Sequence, residues 1–166
     1  GITPAESIEA LAAFQGVRRR LEVRGTVGGV TVIDDFAHHP TAIATTIAGL
    51  RARMQAGSHP GGRLLAVLEP RSNTMRTGTL KAQLPASLKD ADLVFCYAGG
   101  IDWDAQAALA PLGERVAVLR DMPALEAAIL AAARPGDQVL VMSNGGFGGI
   151  HGRLLTGLAS REGNGK

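Results

Sequence analysis

Apolar residues change their spacing along the chain, and each change marks a different element. Ile8, Leu11 and Ala12 follow Thr3-Pro4-Ala5-Glu6, a capping threonine with proline first in the helix and glutamate three residues past the cap. This predicts an opening helix closed by Gly16. From Leu21 to Ile33 the spacing alternates, Leu21 and Val23 against Val30 and Val32 across Gly28-Gly29, which is the pattern of a β-hairpin. Ile43, Ile47, Leu50 and Met54 then recur at helical spacing before Gly57, as do Leu125, Ala128, Ile129 and Ala132 between Asp121 and Pro135. Continuous apolar runs lie beside these segments at Leu64–Leu68, Leu93–Tyr97, Val116–Leu119 and Val139–Met142. Strands apolar on both faces belong to a parallel sheet covered by helices on each side. The chain is therefore expected to fold as one α/β domain, a Rossmann-like three-layer sandwich with a mostly parallel sheet and an N-terminal β-hairpin.

In open sheets of this kind ligands bind beyond the carboxyl ends of the strands. That edge is expected to carry Asp34-Asp35, Glu69-Pro70-Arg71, Gly99-Gly100 and Ser143-Asn144-Gly145-Gly146.

Composition narrows the chemistry. The 166 residues are 46% hydrophobic and 4% aromatic, with 17 basic against 15 acidic side chains. Apart from Arg18, Arg19 and Arg20 the cations are scattered, and so few aromatics make a poor stacking surface, so a nucleic-acid partner is not expected. No segment approaches the roughly 20 apolar residues of a membrane span, no signal-peptide pattern opens the chain, and a cytoplasmic protein without a membrane partner is expected. Cys96, the single cysteine, lies within an apolar run, which excludes a disulfide framework or a CxxC metal site. The only lysines, Lys81, Lys89 and Lys166, stand outside any Walker A loop, and no serine occupies a GxSxG elbow.

Three constellations remain. In Asp34-Asp35-Phe36-Ala37-His38-His39-Pro40, carboxylates beside imidazoles suit metal binding, acid–base work or ribose hydroxyls. The plainer alternative is an aspartate capping a helix from Thr41 beside surface histidines. In Glu69-Pro70-Arg71-Ser72-Asn73-Thr74-Met75-Arg76, two arginines offer bidentate grips for carboxylates and three neutral side chains offer hydrogen bonds, a set suited to a zwitterionic peptide. Here the alternative is a polar loop leading to a helix near Thr79. In Ser143-Asn144-Gly145-Gly146-Phe147-Gly148-Gly149-Ile150-His151, glycines let backbone amides approach an anion at a helix start, though such clusters also serve tight turns. The spacing is neither GxGxxG nor a P-loop.

On these residues the chain resembles the C-terminal domain of the Mur ligases, the ATP-dependent amide-forming enzymes of bacterial peptidoglycan. Gly16-Val17-Arg18-Arg19-Arg20, the Asp34 to Pro40 segment and the final glycine-rich loop resemble the muramate-tripeptide and muramate-alanine members of the family generally. EPRSNTM from Glu69 to Met75, with SNGGFGGIH from Ser143 to His151, resembles the murein peptide ligase branch. That branch joins UDP-N-acetylmuramate to the tripeptide L-alanyl-γ-D-glutamyl-meso-diaminopimelate in cell-wall recycling. The resemblance implies that ATP and Mg²⁺ convert the muramyl carboxylate to an acyl phosphate, which the tripeptide amine attacks. It places the phosphate loop and metal ligands in a central domain and the UDP-sugar on an N-terminal domain, both outside this chain. It makes residues 1–20 a linker helix from the central domain, 21–160 the C-terminal domain and 161–166 a frayed tail. For this domain it implies nucleotide contacts through Asp35, His38 and His39, substrate contacts through Arg71, Ser72, Asn73, Thr74, Asn144 and His151, and no catalytic or metal-binding residue. The alternatives are a UDP-N-acetylmuramate–L-alanine ligase domain and, from another class, a metal-dependent hydrolase using Asp34, Asp35, His38 and His39.

Overall fold

A computed structural model describes residues 19–57 and 61–164; the opening helix expected from Thr3 lies outside the described residues. Six strands form one sheet: β1 (Glu22–Val27), β2 (Val30–Asp35), β3 (Leu64–Leu68), β4 (Leu93–Tyr97), β5 (Val116–Leu119) and β6 (Gln138–Met142), in the order β1-β2-β6-β3-β4-β5. Only the β1–β2 pair is antiparallel. Gly28 and Gly29 join it with φ of 60° and 77°, the positive values that a two-residue hairpin turn matched to strand twist requires. The ladder shifts register between Val23 and Gly25, so Arg24 is the extra residue of a bulge. Val23, expected to alternate inward, is 49% exposed as a result.

The helices are α1 (Pro40–Ala56), α2 (Asn73–Arg76), α3 (Leu84–Leu88), α4 (Ala105–Ala108), α5 (Met122–Ala132) and α6 (Ile150–Asn164). Helix α1 buries the expected stripe, Ile43, Ile47, Leu50 and Met54, and packs with α3 in the core on one face of the sheet. Helices α5 and α6 fill the other face through Leu125, Ile129, Ile150, Leu154 and Leu158. The last helix runs on past Ser160 to Asn164, where the sequence pattern suggested a frayed tail, and Arg161 donates to the Ala133 carbonyl.

Two local expectations are corrected. Helix α1 begins at Pro40 with His39 as its N-cap and no side-chain cap, so neither aspartate caps it. After β3 a helix precedes the one expected near Thr79, where a 3-10 turn at Lys81–Gln83 leads into α3: α2 forms at Asn73–Arg76 because Ser72 Oγ accepts from the Met75 amide and Trp103 Nε1 donates to the Met75 carbonyl at 2.7 Å.

The helix after β2 lies on one face and the helix after its parallel neighbour β6 on the other. The chain therefore switches faces between the carboxyl ends of β2, β6 and β3, the edge at which open sheets of this kind bind ligands.

Candidate functional site

The segments expected at the carboxyl edge meet there, and backbone bonds join the ends of β2, β6 and β3. The Ser143 amide donates to the Asp35 carbonyl at 3.2 Å and the Glu69 amide to the Met142 carbonyl at 3.1 Å. Adjacent strand residues point to opposite faces, and Asp34 and Asp35 do so with different partners.

Asp34 is 2% exposed and sits at the centre of a charged cluster. Arg19 grips it through Nε and Nη2 at 3.0 and 3.2 Å and also donates to the Ser143 carbonyl at 3.0 Å. The bulge residue Arg24 lies 3.5 Å from it, and His151 Nε2 is 3.0 Å from Oδ1. Burial works to raise the Asp34 pKa, but the Arg19 hydrogen bonds and the nearby charges outweigh it and hold the carboxyl below its usual 3.8. For His151, burial dominates and lowers the pKa from the usual 6.5, against the pull of Asp34. At neutral pH the pair is thus a neutral imidazole donating its Nε2–H to a carboxylate.

A pH dependence follows. Below 6.5 the unfolded chain protonates His151 while the folded chain does not, so the unfolded state binds more protons and stability falls as the pH drops from about 6.5. A second loss begins below 3.8, as the unfolded chain protonates Asp34 first. The urea midpoint is expected to drop between about pH 7 and 5. His151→Gln should flatten that slope; an equal slope in the variant would refute the assignment.

Asp35 is nearly as buried and bonded entirely to its own surroundings. Oδ1 accepts from the Ala37 amide at 2.8 Å and the Thr46 hydroxyl at 3.3 Å, and Oδ2 from the Leu21 amide at 2.9 Å. Asp35 thereby shapes the turn that presents His38, whose Nδ1 lies 2.9 Å from the Phe36 carbonyl and whose ring centre is 4.3 Å from that of His39, the planes tilted by 47°. With Arg20, Phe36, Ala37, Ala42, Thr45 and Thr46, Asp35 and His38 line a cleft of about 350 Å³.

A second cleft, about 240 Å³, lies between the ends of β3 and β4 and is lined by Glu69, Pro70, Arg71, Arg76, Tyr97 and Gly100. Arg71 is exposed and has no hydrogen-bond or ion-pair partner among the described residues. Its side chain lies on the bare backbone of Gly145: a Cβ there would stand 2.6–2.7 Å from Arg71 Nη1, Cδ and Nε. Arg76 Nε donates to the Gly100 carbonyl at 3.1 Å. Ser72 caps α2, which leaves Asn73 and Thr74 exposed on its first turn.

Neither His151 nor Asn144 lines these clefts, though Asn144 adjoins the Gly145 backbone on which Arg71 lies. His151 is 5% exposed and turned to Asp34, a buried place for a residue expected on substrate. Asn144 is half-buried, and its Oδ1 has no hydrogen-bond partner among the described residues. Arg19, Glu69 and Ser143 fall within the segments read from the sequence, which gave none of them a role of its own. Arg19 reaches across long sequence separations, and Ser143 Oγ donates to Glu69 Oε1 at 2.7 Å between strands that neighbour only in space.

The metal-hydrolase alternative is corrected by this geometry. Asp34 and Asp35 diverge and are satisfied by the chain's own donors, and among the described residues no three His, Cys, Asp or Glu side chains converge as a metal site. Cys96 is no nucleophile either, since burial pushes its thiol up to about 12.

Residues 19–145 match the family described as Mur ligase, glutamate ligase domain. The Escherichia coli (strain K12) UDP-N-acetylmuramate–L-alanyl-γ-D-glutamyl-meso-2,6-diaminoheptandioate ligase is 47% identical over 162 residues, 97% of this chain and 35% of that protein. A UDP-N-acetylmuramate–L-alanine ligase of Mycobacterium sp. (strain JLS) is 38% identical over 169 residues, covering 97% of this chain and 34% of its own. Among solved structures, a murein peptide ligase of Psychrobacter arcticus 273-4 superposes with a TM-score of 0.76 at 39% identity, over 93% of this chain and 32% of that one. The chain thus spans about a third of the length of the curated relatives it matches.

Proposed function

The chain belongs to the Mur ligase family, as its C-terminal, glutamate ligase domain, and on that footing we propose that it is the amino-substrate domain of a ligase. The whole enzyme would use ATP to join UDP-N-acetylmuramate to L-alanyl-γ-D-glutamyl-meso-diaminopimelate in peptidoglycan recycling. The observation that carries the reading is the cleft holding Arg71 and Arg76, with Arg71 unpaired among the described residues and laid out on Gly145. A guanidinium kept free of internal acids at a strand edge is a carboxylate receptor in waiting. The 47% identity to a tripeptide ligase, against 38% to an alanine ligase, supports the peptide substrate.

In this reading the substrate peptide enters beside Arg71 and Arg76, with Ser72, Asn73, Thr74 and Asn144 as neutral contacts, while His151 acts at a distance by holding Asp34. The cleft of Asp35, His38 and the neighbouring His39 faces the nucleotide ribose, with Asp35 also keeping the turn in shape. Phosphate activation and Mg²⁺ belong to the central domain; the described residues do not fit a magnesium site of their own. When the domains close over the nucleotide, these loops exclude water from a reactive acyl intermediate.

Arg71→Ala in the full-length ligase tests this. One lost charge-assisted contact predicts a KM for the tripeptide raised about 10- to 100-fold with kcat little changed. An unchanged KM would remove the cleft from the account.

A further inference from the structure

The same cleft holds an acid whose presence a pure carboxylate receptor does not explain. Glu69 lines it together with Arg71 and Arg76, yet among the described residues it forms no ion pair with either. Its carboxylate is fixed by another group: Oε1 accepts from the Ser143 hydroxyl at 2.7 Å. Ser143 is fully buried, and its Oγ also accepts from the Gly145 amide at 3.0 Å, so the hydroxyl can donate only towards Glu69. The second carboxylate oxygen of Glu69 has no partner among the described residues. One anion and two cations are thus held apart in one small cleft rather than neutralising each other.

A ligand carrying only carboxylates would be repelled by Glu69, and one carrying only an ammonium would be repelled by the arginines. A zwitterionic amino-acid head, with ammonium and carboxylate on one carbon, meets both. Resting on the function proposed above, we propose that Glu69 is a specificity-determining residue that takes the free ammonium at the distal end of the meso-diaminopimelyl residue, while the arginines take carboxylates. Ser143 is its positioning residue, since the hydroxyl aims the carboxylate.

Glu69→Gln separates charge from structure, because the amide oxygen still accepts from Ser143. The full-length ligase is assayed with three peptides: the natural tripeptide, one ending in L-lysine, which keeps the ammonium and lacks the distal carboxylate, and one ending in L-2-aminopimelate, which keeps that carboxylate and lacks the ammonium. The variant is expected to raise KM about tenfold for the first two and leave the third within about twofold. Equal changes for all three peptides, or no change for any, would overturn the assignment. Arg71→Ala should show the other pattern, with the natural and aminopimelyl peptides weakened most. Failure of that pattern alone would remove the carboxylate grip while the Glu69 result stood, so the two readings fail separately.

Discussion

Replacing Asp34 with alanine is expected to destabilise the domain by about 3 kcal/mol, the lower end of the cost of breaking a buried ion pair. The carboxylate is 2% exposed and is the shared acceptor for Arg19, Arg24 and His151. Its loss leaves the buried Nε2–H of His151 unpaired and two guanidinium groups facing each other without an anion. Arg19 and Arg24 keep part of their surface in water, at 27% and 44% side-chain exposure, which is why the larger costs of fully buried pairs are not expected. Asp34→Asn should lose less, since one oxygen still accepts. The single tryptophan, Trp103, is 7% exposed and bonded to the Met75 carbonyl, so urea unfolding can be followed by its fluorescence. A loss below about 1 kcal/mol would show that the cluster does not hold the site together.

The cluster matters because it joins the segments proposed to contact the substrates. Arg19 ties the chain entering the domain to β2 and to the Ser143 carbonyl, and Ser143 ties the glycine-rich loop to Glu69. The segment after β3 is thereby registered against the loop that supports Arg71.

Periodicity revealed elements wherever burial alone decides structure. Leu64–Leu68, Leu93–Tyr97 and Val116–Leu119 are legible to the residue because strands covered on both faces leave no polar position inside them. Strand β6 starts one residue earlier than its apolar run, at Gln138, since pairing with Thr31 and Leu64 rather than hydrophobicity sets that boundary. The bulge at Arg24 was not visible, because the ion pair with Asp34 that accompanies it joins residues of different strands. Helix α2 was missed for a similar reason: its anchor, Trp103, comes from a distant loop.

The site was legible as a set of segments and not as a set of roles. Strand-to-loop position placed Asp35, His38, Arg71 and Asn144 at one edge of the sheet. Which aspartate faces which partner depends on contacts with Arg19, Leu21 and His151 that no local spacing encodes. His151 shows the consequence. Its place in a helix's first turn suggested an open contact, whereas the fold turns its ring inward onto Asp34.

The acceptor preference of the full-length ligase carries the other large expected effect. If the cleft of Glu69, Arg71 and Arg76 takes the distal end of a peptide, as proposed, free L-alanine, with one carboxylate and its amine as the reacting group, would leave that cleft unfilled. On the same proposal the tripeptide would reach it with additional charged groups. Two charge-assisted contacts at about 1.5–3 kcal/mol each predict a preference in kcat/KM of about 10²- to 10⁴-fold. The decisive measurement is UDP-N-acetylmuramate-dependent release of ADP with each acceptor in parallel. The account predicts turnover with the tripeptide at low concentration and turnover with alanine, if any, only near saturation. Equal or greater kcat/KM for L-alanine would contradict it.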